Sequence, residues 1–156
     1  MTRSMVHHYA DDVFVLVHNK QSPKDAEWDA YIDDLKRQAS RADCIKTLVF
    51  TEGGNPDGYQ RKRLNDVLAG RPTLAAVMTH SFLARAVVGT LAVFNPRIRA
   101  FSPDDAGLAL AYLKIPMSQY GAVLQTLARL KREMGLSDSI LPEPPSPGTK
   151  STNATL

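Results

Sequence analysis

The strongest constraint on the fold is a repeated alternation of short apolar runs with longer stretches of helical periodicity. Apolar runs at 13–17, 45–50 and 73–78 have the length of strands, and a shorter run follows at 98–101. The first run, VFVLV, is apolar at every position, which is typical of a strand covered on both faces of its sheet. Because strands that alternate with helices need crossover connections, the sequence predicts a mostly parallel sheet.

The segment before the first apolar run predicts an N-terminal β-hairpin. MVHHYA mixes polar and apolar residues as a half-exposed strand does, and Asp11-Asp12, a residue pair that favours turns, directly precedes Val13. Since this first strand is partly polar, we expect it at the edge of the sheet. The predicted fold class is therefore α/β: a mixed, mostly parallel sheet with an N-terminal hairpin, helices packed on it and a C-terminal helix.

Each apolar run is followed by a helix with its own start signal. Ser22 is predicted to cap the first helix with Pro23 at its first position, and Ser81 is predicted to cap a helix over 82–94. The helix between them, over 59–69, is predicted to bury three apolar residues: Leu64, Val67 and Leu68.

The chain after the last strand predicts two more helices and a tail. Ser102-Pro103-Asp104-Asp105 is a second cap-proline-acid start, and Pro116 ends the helix that it begins. The final helix is amphipathic and is predicted to direct three basic residues to solvent: Arg129, Lys131 and Arg132. From 137 the sequence is rich in Pro and Ser, so we expect an α/β domain over 1–136 and a disordered tail over 137–156.

Composition and charge indicate an ordinary globular protein. Of 156 residues, 44% are apolar and 22% are charged, which suits one domain. No stretch approaches the roughly 20 apolar residues that cross a bilayer, and the first residues carry no apolar signal region, so we expect a soluble, cytoplasmic protein. A net charge of +3 is too small to imply nucleic acid by itself. The basic run 61–63 is interpreted as a solvated face, with contact to nucleic acid or anionic lipid as the alternative. Cys44 is the single cysteine and is interpreted as a buried small hydrophobe.

The element order β-β-α-β-α-β-α-β-α-α, with its hairpin, resembles the STAS domain. That is the fold of bacterial anti-sigma-factor antagonists and of the cytoplasmic tails of sulfate transporters. The resemblance covers about residues 4–135 and is closest to stand-alone bacterial STAS-like proteins. It implies a non-enzymatic, regulatory module that binds a protein partner.

In regulatory members of that family, the loop after the third strand carries a phosphorylatable serine or threonine in an Asp-Ser-Ser-Gly-like stretch. The matching stretch here is TEGGNPDG, in which Asp57-Gly58 keep part of the pattern without a hydroxyl residue between them. The resemblance therefore makes Thr51, at the end of the strand, the candidate phosphosite.

Polar residues at the carboxyl ends of the third and fourth strands form the candidate binding site. Ligands and partners of parallel α/β sheets bind at this edge, and a helix that starts there offers free N–H groups to an anion. Asn55 or Asp57 is expected to cap the helix after the glycine pair Gly53-Gly54. The predicted partner- or anion-binding residues are Thr51, Asn55, Asp57, Gly58, Tyr59, Arg61, His80 and Ser81.

Catalytic and metal-binding interpretations have less support. His80 and Ser81 could join a nearby carboxylate in a hydrolytic set, but no Gly-x-Ser-x-Gly elbow surrounds Ser81, and its capping role accounts for it. His7 and His8 alternate along a strand and therefore point to opposite faces, which does not suit a metal pair. We predict no catalytic residue, no metal and no cofactor, with a small enzyme using His80 as an alternative.

The stretch FLARAVVGTLAVF is apolar around almost its whole circumference. Such a helix is normally buried on all sides, so either the final helix or a second molecule is expected to cover it. The residues predicted for a homodimer contact are Phe82, Val87, Leu91 and Phe94. The alternative function is a small-molecule or lipid carrier in which this helix walls an apolar pocket.

Overall fold

A computed structural model describes residues 2–94 and 97–136, with the side chains of 90–94 left out of the description. The predicted tail over 137–156 lies outside the described residues. Within them, five strands form one sheet in the order β1-β2-β3-β4-β5. β1 is antiparallel to β2, and every later neighbour is parallel. The strands are β1 (Met5–Ala10), β2 (Val13–His18), β3 (Ile45–Thr51), β4 (Thr73–Met78) and β5 (Ile98–Phe101).

The N-terminal hairpin is confirmed. Asp11 and Asp12 have φ angles of 55° and 62°, the left-handed pair that a two-residue hairpin turn requires. Ala10 therefore pairs with Val13, and the register continues to the pair of Met5 with His18. β1 lies at the edge of the sheet, as its polar residues predict, whereas all six residues of β2 are buried.

The helices are α1 (Asp25–Ala39), α2 (Gly58–Leu68), α3 (Phe82–Phe94), α4 (Ala106–Tyr112) and α5 (Tyr120–Glu133). Short 3₁₀ turns precede the last two, at Pro103–Asp105 and Met117–Gln119. Ser102 caps the first of these turns as predicted, since its side chain accepts the backbone N–H of Asp104 at 3.3 Å.

The predicted start of α1 is wrong. Ser22 is exposed and does not cap the helix, which begins at Asp25 rather than at Pro23. The reason is tertiary: the Lys24 N–H donates to the Ser4 hydroxyl at 2.9 Å, and the Pro23 carbonyl accepts a side-chain hydrogen bond from Gln60 at 2.8 Å. These contacts hold the segment extended up to Lys24.

α1 and α2 pack together and cover one face of the sheet. The core of this layer joins Phe14 and Leu16 of β2 to Trp28, Ile32 and Leu35 of α1. The residues predicted to be buried on α2 are half-buried, because α2 lies at the margin of this core: Leu64, Val67 and Leu68. Cys44 is likewise half-buried rather than fully buried, just before β3.

α4 and α5 cover the other face. α4 packs on β4 and β5, α5 packs on β1 and β2, and Leu110 of α4 and Leu127 of α5 are fully buried in the core that the two helices share with the sheet. The prediction that Lys131 faces solvent is wrong: its side chain is 0% exposed. Its Nζ lies 4.3 Å from the centre of the Phe50 ring, a cation–π contact.

α3 packs along β5, at the far edge of the sheet from the hairpin. α5 packs on β1 and β2, so the final helix is not placed to cover α3. Within the described residues, no helix is long and apolar enough to cross a bilayer.

Candidate functional site

The loops after β3 and β4 lie side by side at the carboxyl edge of the sheet. The Thr79 hydroxyl donates to the Thr51 carbonyl at 2.7 Å, and the Thr79 Oγ1 accepts the Ser81 N–H at 3.0 Å. The Thr79 N–H in turn donates to the carbonyl of Phe101 in β5 at 3.1 Å. The predicted juxtaposition of the two loops is therefore built on the buried Thr79, which is not among the predicted binding residues.

Thr51, the candidate phosphosite, is buried, and its hydroxyl is used within its own loop. It donates to the Gly54 carbonyl at 2.7 Å and accepts the Gly53 N–H at 3.0 Å. A kinase could therefore reach this oxygen only after the loop had opened.

The glycine pair shapes the loop for two different reasons. Gly53 has a φ of 136°, a conformation that side chains rarely adopt. Gly54 is needed for close approach, because its N–H donates to the Asn19 carbonyl at 2.8 Å and an added Cβ would lie 2.2 Å from the Gln21 carbonyl oxygen. The loop after β3 is thus packed directly on the loop after β2.

Asp57, rather than Asn55, caps α2. Its Oδ1 accepts the Gln60 N–H at 2.8 Å, and the Gln60 side chain accepts the Asp57 N–H at 3.0 Å, which completes a capping box. Gly58 is the exposed first residue of the helix. The Asn55 side chain is also exposed, and its amide donates to the Gly53 carbonyl. The capping box therefore uses two backbone N–H groups, those of Asp57 and Gln60, that would otherwise be free to bind an anion.

Gln60 anchors the site to the fold and was missed by the sequence interpretation. It is buried, and its side-chain amide donates to the Pro23 carbonyl at 2.8 Å and to the Asp25 carboxylate at 3.1 Å. Its own carbonyl accepts the indole N–H of Trp28 at 3.1 Å. The spacing Asp-x-x-Gln at residues 57–60 was the available signal.

Ser81 caps α3 as predicted. Its Oγ accepts the Ala84 N–H at 3.2 Å, and the Arg85 side chain donates to the Thr79 carbonyl at 3.1 Å. His80 is exposed at the tip of this loop.

Large apolar side chains are exposed where α2 and α3 begin. Tyr59 is 70% exposed, Phe82 83% and Leu83 77%. Arg61 is also exposed and donates to the Pro56 carbonyl at 3.2 Å. We call this group the loop surface, defined by its exposed side chains: Asn55, Tyr59, Arg61, His80, Phe82 and Leu83.

The apolar surface continues along α3. Ala84 and Val88 are buried against the sheet, whereas Val87 is 39% exposed. The predicted self-association residues thus divide: Phe82 and Val87 are exposed, and the side chains of Leu91 and Phe94 lie outside the described residues.

Two histidines near the hairpin are perturbed by burial. His7 Nε2 lies 3.3 Å from the Asp34 carboxylate, and burial lowers the pKa of His7 although Asp34 opposes the shift. His18, at the end of β2, is 3% exposed, and burial lowers its pKa from 6.5 to about 4, a shift that Glu27 partly opposes.

The Glu27 carboxylate of α1 holds the start of β1. It accepts the backbone N–H groups of Ser4 at 3.1 Å and Met5 at 3.0 Å, and the Ser4 hydroxyl also donates to it. Nothing in the spacing of these residues predicts the contact.

Comparison with known proteins identifies no relative of this chain. No protein-family model, no curated protein and no solved structure matches the chain. The functional argument therefore rests on the site itself.

Proposed function

We propose that this chain is a non-enzymatic, STAS-like regulatory module that binds a protein partner through its loop surface. The observation that carries the proposal is the exposure of Tyr59, Phe82 and Leu83 at the carboxyl edge of the sheet. Exposed large apolar side chains are ordinary when scattered, but a group at one functional edge is typical of an interaction site.

The chemistry of the loop surface suits a protein partner. Aromatic residues and arginine contribute most of the binding energy in many interfaces, and the loop surface exposes all three of Tyr59, Phe82 and Arg61. Full burial of one such apolar side chain is worth about 1.5–3 kcal/mol. Three of them would supply the centre of an interface of ordinary size.

The loop surface is also held in place before any partner arrives. Thr79 ties the two loops together, and the capping box of Asp57 and Gln60 fixes the start of α2. A preorganised surface loses less conformational entropy on binding, which favours affinity. Phosphorylation of Thr51 would disrupt this arrangement, because its hydroxyl is hydrogen-bonded inside the loop.

We propose a cytoplasmic protein, with a second copy of the chain as one candidate partner. The exposed Val87 lies one turn after Leu83 and extends the apolar surface along α3, in the direction that a homodimer contact would use. Light scattering at increasing protein concentration tests for this homodimer. A dimer that Phe82→Ser and Leu83→Ser together convert to a monomer would support self-association, and a monomer at all concentrations would exclude it.

The double substitution Tyr59→Ala with Arg61→Glu tests the loop surface. Both side chains are exposed, so we expect the melting temperature to change by less than about 2 °C. Affinity capture from the source organism with isotope-labelled quantification should show that specifically bound proteins fall at least about tenfold, the loss expected for one or two interface anchors.

The matched control places the same change on the opposite face. Met117 is 81% exposed between α4 and α5, and Arg129 is exposed on α5, so Met117→Ala with Arg129→Glu makes the same charge change and also removes one large exposed side chain. Capture should survive in the control. Equal capture by native protein and the Tyr59 variant would remove the loop surface from the proposal.

A further inference from the structure

A groove lies between the C-terminal halves of α1 and α2, away from the loop surface. Its volume is about 420 Å³, within the range of small-ligand sites. The floor is apolar and consists of Ile32 and Ala39 of α1 and Val67 of α2. No residue of α3 lines this groove, so it differs from the apolar pocket of the alternative carrier hypothesis, which that helix would wall.

Three cationic side chains line the rim of the groove: Lys36, Arg63 and Arg71. Arg71 donates through one terminal nitrogen to the Ala39 carbonyl at 2.9 Å, and Arg63 is ion-paired with Asp29. These contacts hold both guanidinium groups at the groove. A guanidinium that is already positioned loses less entropy when it binds a planar oxyanion.

Ion pairs balance part of this charge and leave the groove net positive. Asp29 balances Arg63, Asp66 contacts the Lys62 ammonium at 3.0 Å, and none of the described ion pairs involves Lys36 or Arg71. Cations near the last turn of α1, such as Lys36, also offset the helix dipole. That role does not account for the arginines supplied by α2 and the turn after it.

We propose that this groove binds a small anionic amphiphile. Its phosphate or carboxylate group would lie among Lys36, Arg63 and Arg71, and its short apolar chain would cover Ile32 and Val67. The loop surface includes the start of α2 and the groove lies along its second half, so the two proposals are tested by different residues. It assigns to the chain a ligand of defined chemistry: one anionic head and one apolar arm.

Octyl phosphate, used below its micelle concentration, is the probe. In an NMR titration of the full chain, we expect the largest amide shifts at residues of the groove, such as Lys36, Val67 and Arg71. Octyl glucoside has the same chain with a neutral head, and inorganic phosphate has the head without a chain. Both should bind at least about tenfold more weakly, since each lacks one half of the recognition.

The variant Lys36→Gln with Arg63→Gln removes charge and leaves Arg71 bound to α1. We expect octyl phosphate to bind it at least about tenfold more weakly, whereas Arg129→Gln, on the other face of the sheet, should bind as the native chain does. Unchanged affinity of the double variant would overturn the proposal. So would equal binding of either comparison compound, or shifts centred away from the groove.

Discussion

Acidification should destabilise the fold through His18. This side chain is 3% exposed at the end of β2, and alternation along the strand places it on the face covered by α1. In the unfolded chain it binds a proton at its ordinary pKa of 6.5, whereas burial lowers its pKa to about 4 in the folded protein. Between these two values the unfolded state binds more protons, so its population grows as the pH falls.

The size of the effect follows from the two pKa values. Each tenfold change in proton affinity corresponds to about 1.4 kcal/mol, so the interval from 6.5 to about 4 gives about 3 kcal/mol. This contribution is fully present above pH 6.5 and is lost progressively towards pH 4. His7 adds in the same direction, because burial lowers its pKa as well. A loss of this size is a large part of the stability of a small domain.

Urea unfolding at several pH values from 7.5 to 4.5 measures this effect, with Trp28 as the reporter because it is the single tryptophan and is buried. His18→Leu, which cannot titrate, should flatten the pH dependence by about 3 kcal/mol across that range. His8→Leu, at an exposed site on β1, should flatten it much less than His18→Leu. An NMR titration that gives His18 in the folded chain a pKa near 6.5 would refute the reasoning, as would equal slopes for native protein and His18→Leu.

Two further predictions concern the packing of the site and of the N-terminal strand. Gly54→Ala should destabilise the fold by more than about 2 kcal/mol in urea unfolding, because its Cβ would meet backbone carbonyl oxygens at 2.2 and 2.5 Å. Gly58→Ala, with its nearest contact at 3.9 Å, should be neutral or stabilising, and a similar cost at both sites would contradict the packing argument. Glu27→Gln should lower the free energy of unfolding by about 1–3 kcal/mol and speed amide hydrogen exchange at Ser4, because it weakens the charge-assisted hydrogen bonds that hold β1. Unchanged exchange at Ser4 would show that β1 does not depend on this carboxylate.

The fold was predictable where signals in the chain are local. β4 and α3 have the predicted bounds because an apolar run of strand length is followed at once by the cap Ser81. The hairpin follows equally from Asp11-Asp12. The start of α1 was not predictable, because distant partners, Ser4 and Gln60, override the local preference of Ser22 for a cap.

The candidate site was predictable in outline but not in detail. Parallel strands bring the loops after β3 and β4 together, so their proximity follows from topology. Topology does not determine which side chains face solvent. The stretch that forms α3 is apolar on every side, so only its packing on the sheet decides that Ala84 is buried and Phe82 exposed. Phe82 is an apolar residue that is exposed, and Lys131 is a charged residue that is buried, beside an aromatic ring.

The strand order bears on how the chain folds during synthesis. Each strand pairs with the strand before it in the sequence, so the sheet can form in the order in which the ribosome releases it. The helix that covers β1 and β2 on the second face is α5 (Tyr120–Glu133), the last helix in the part of the chain that the structure describes. Until α5 emerges, Val13, Val15 and Val17 lack their cover on that face. A ribosome-bound chain that stops before α5 should therefore present an open hydrophobic sheet face, the kind of surface to which chaperones bind.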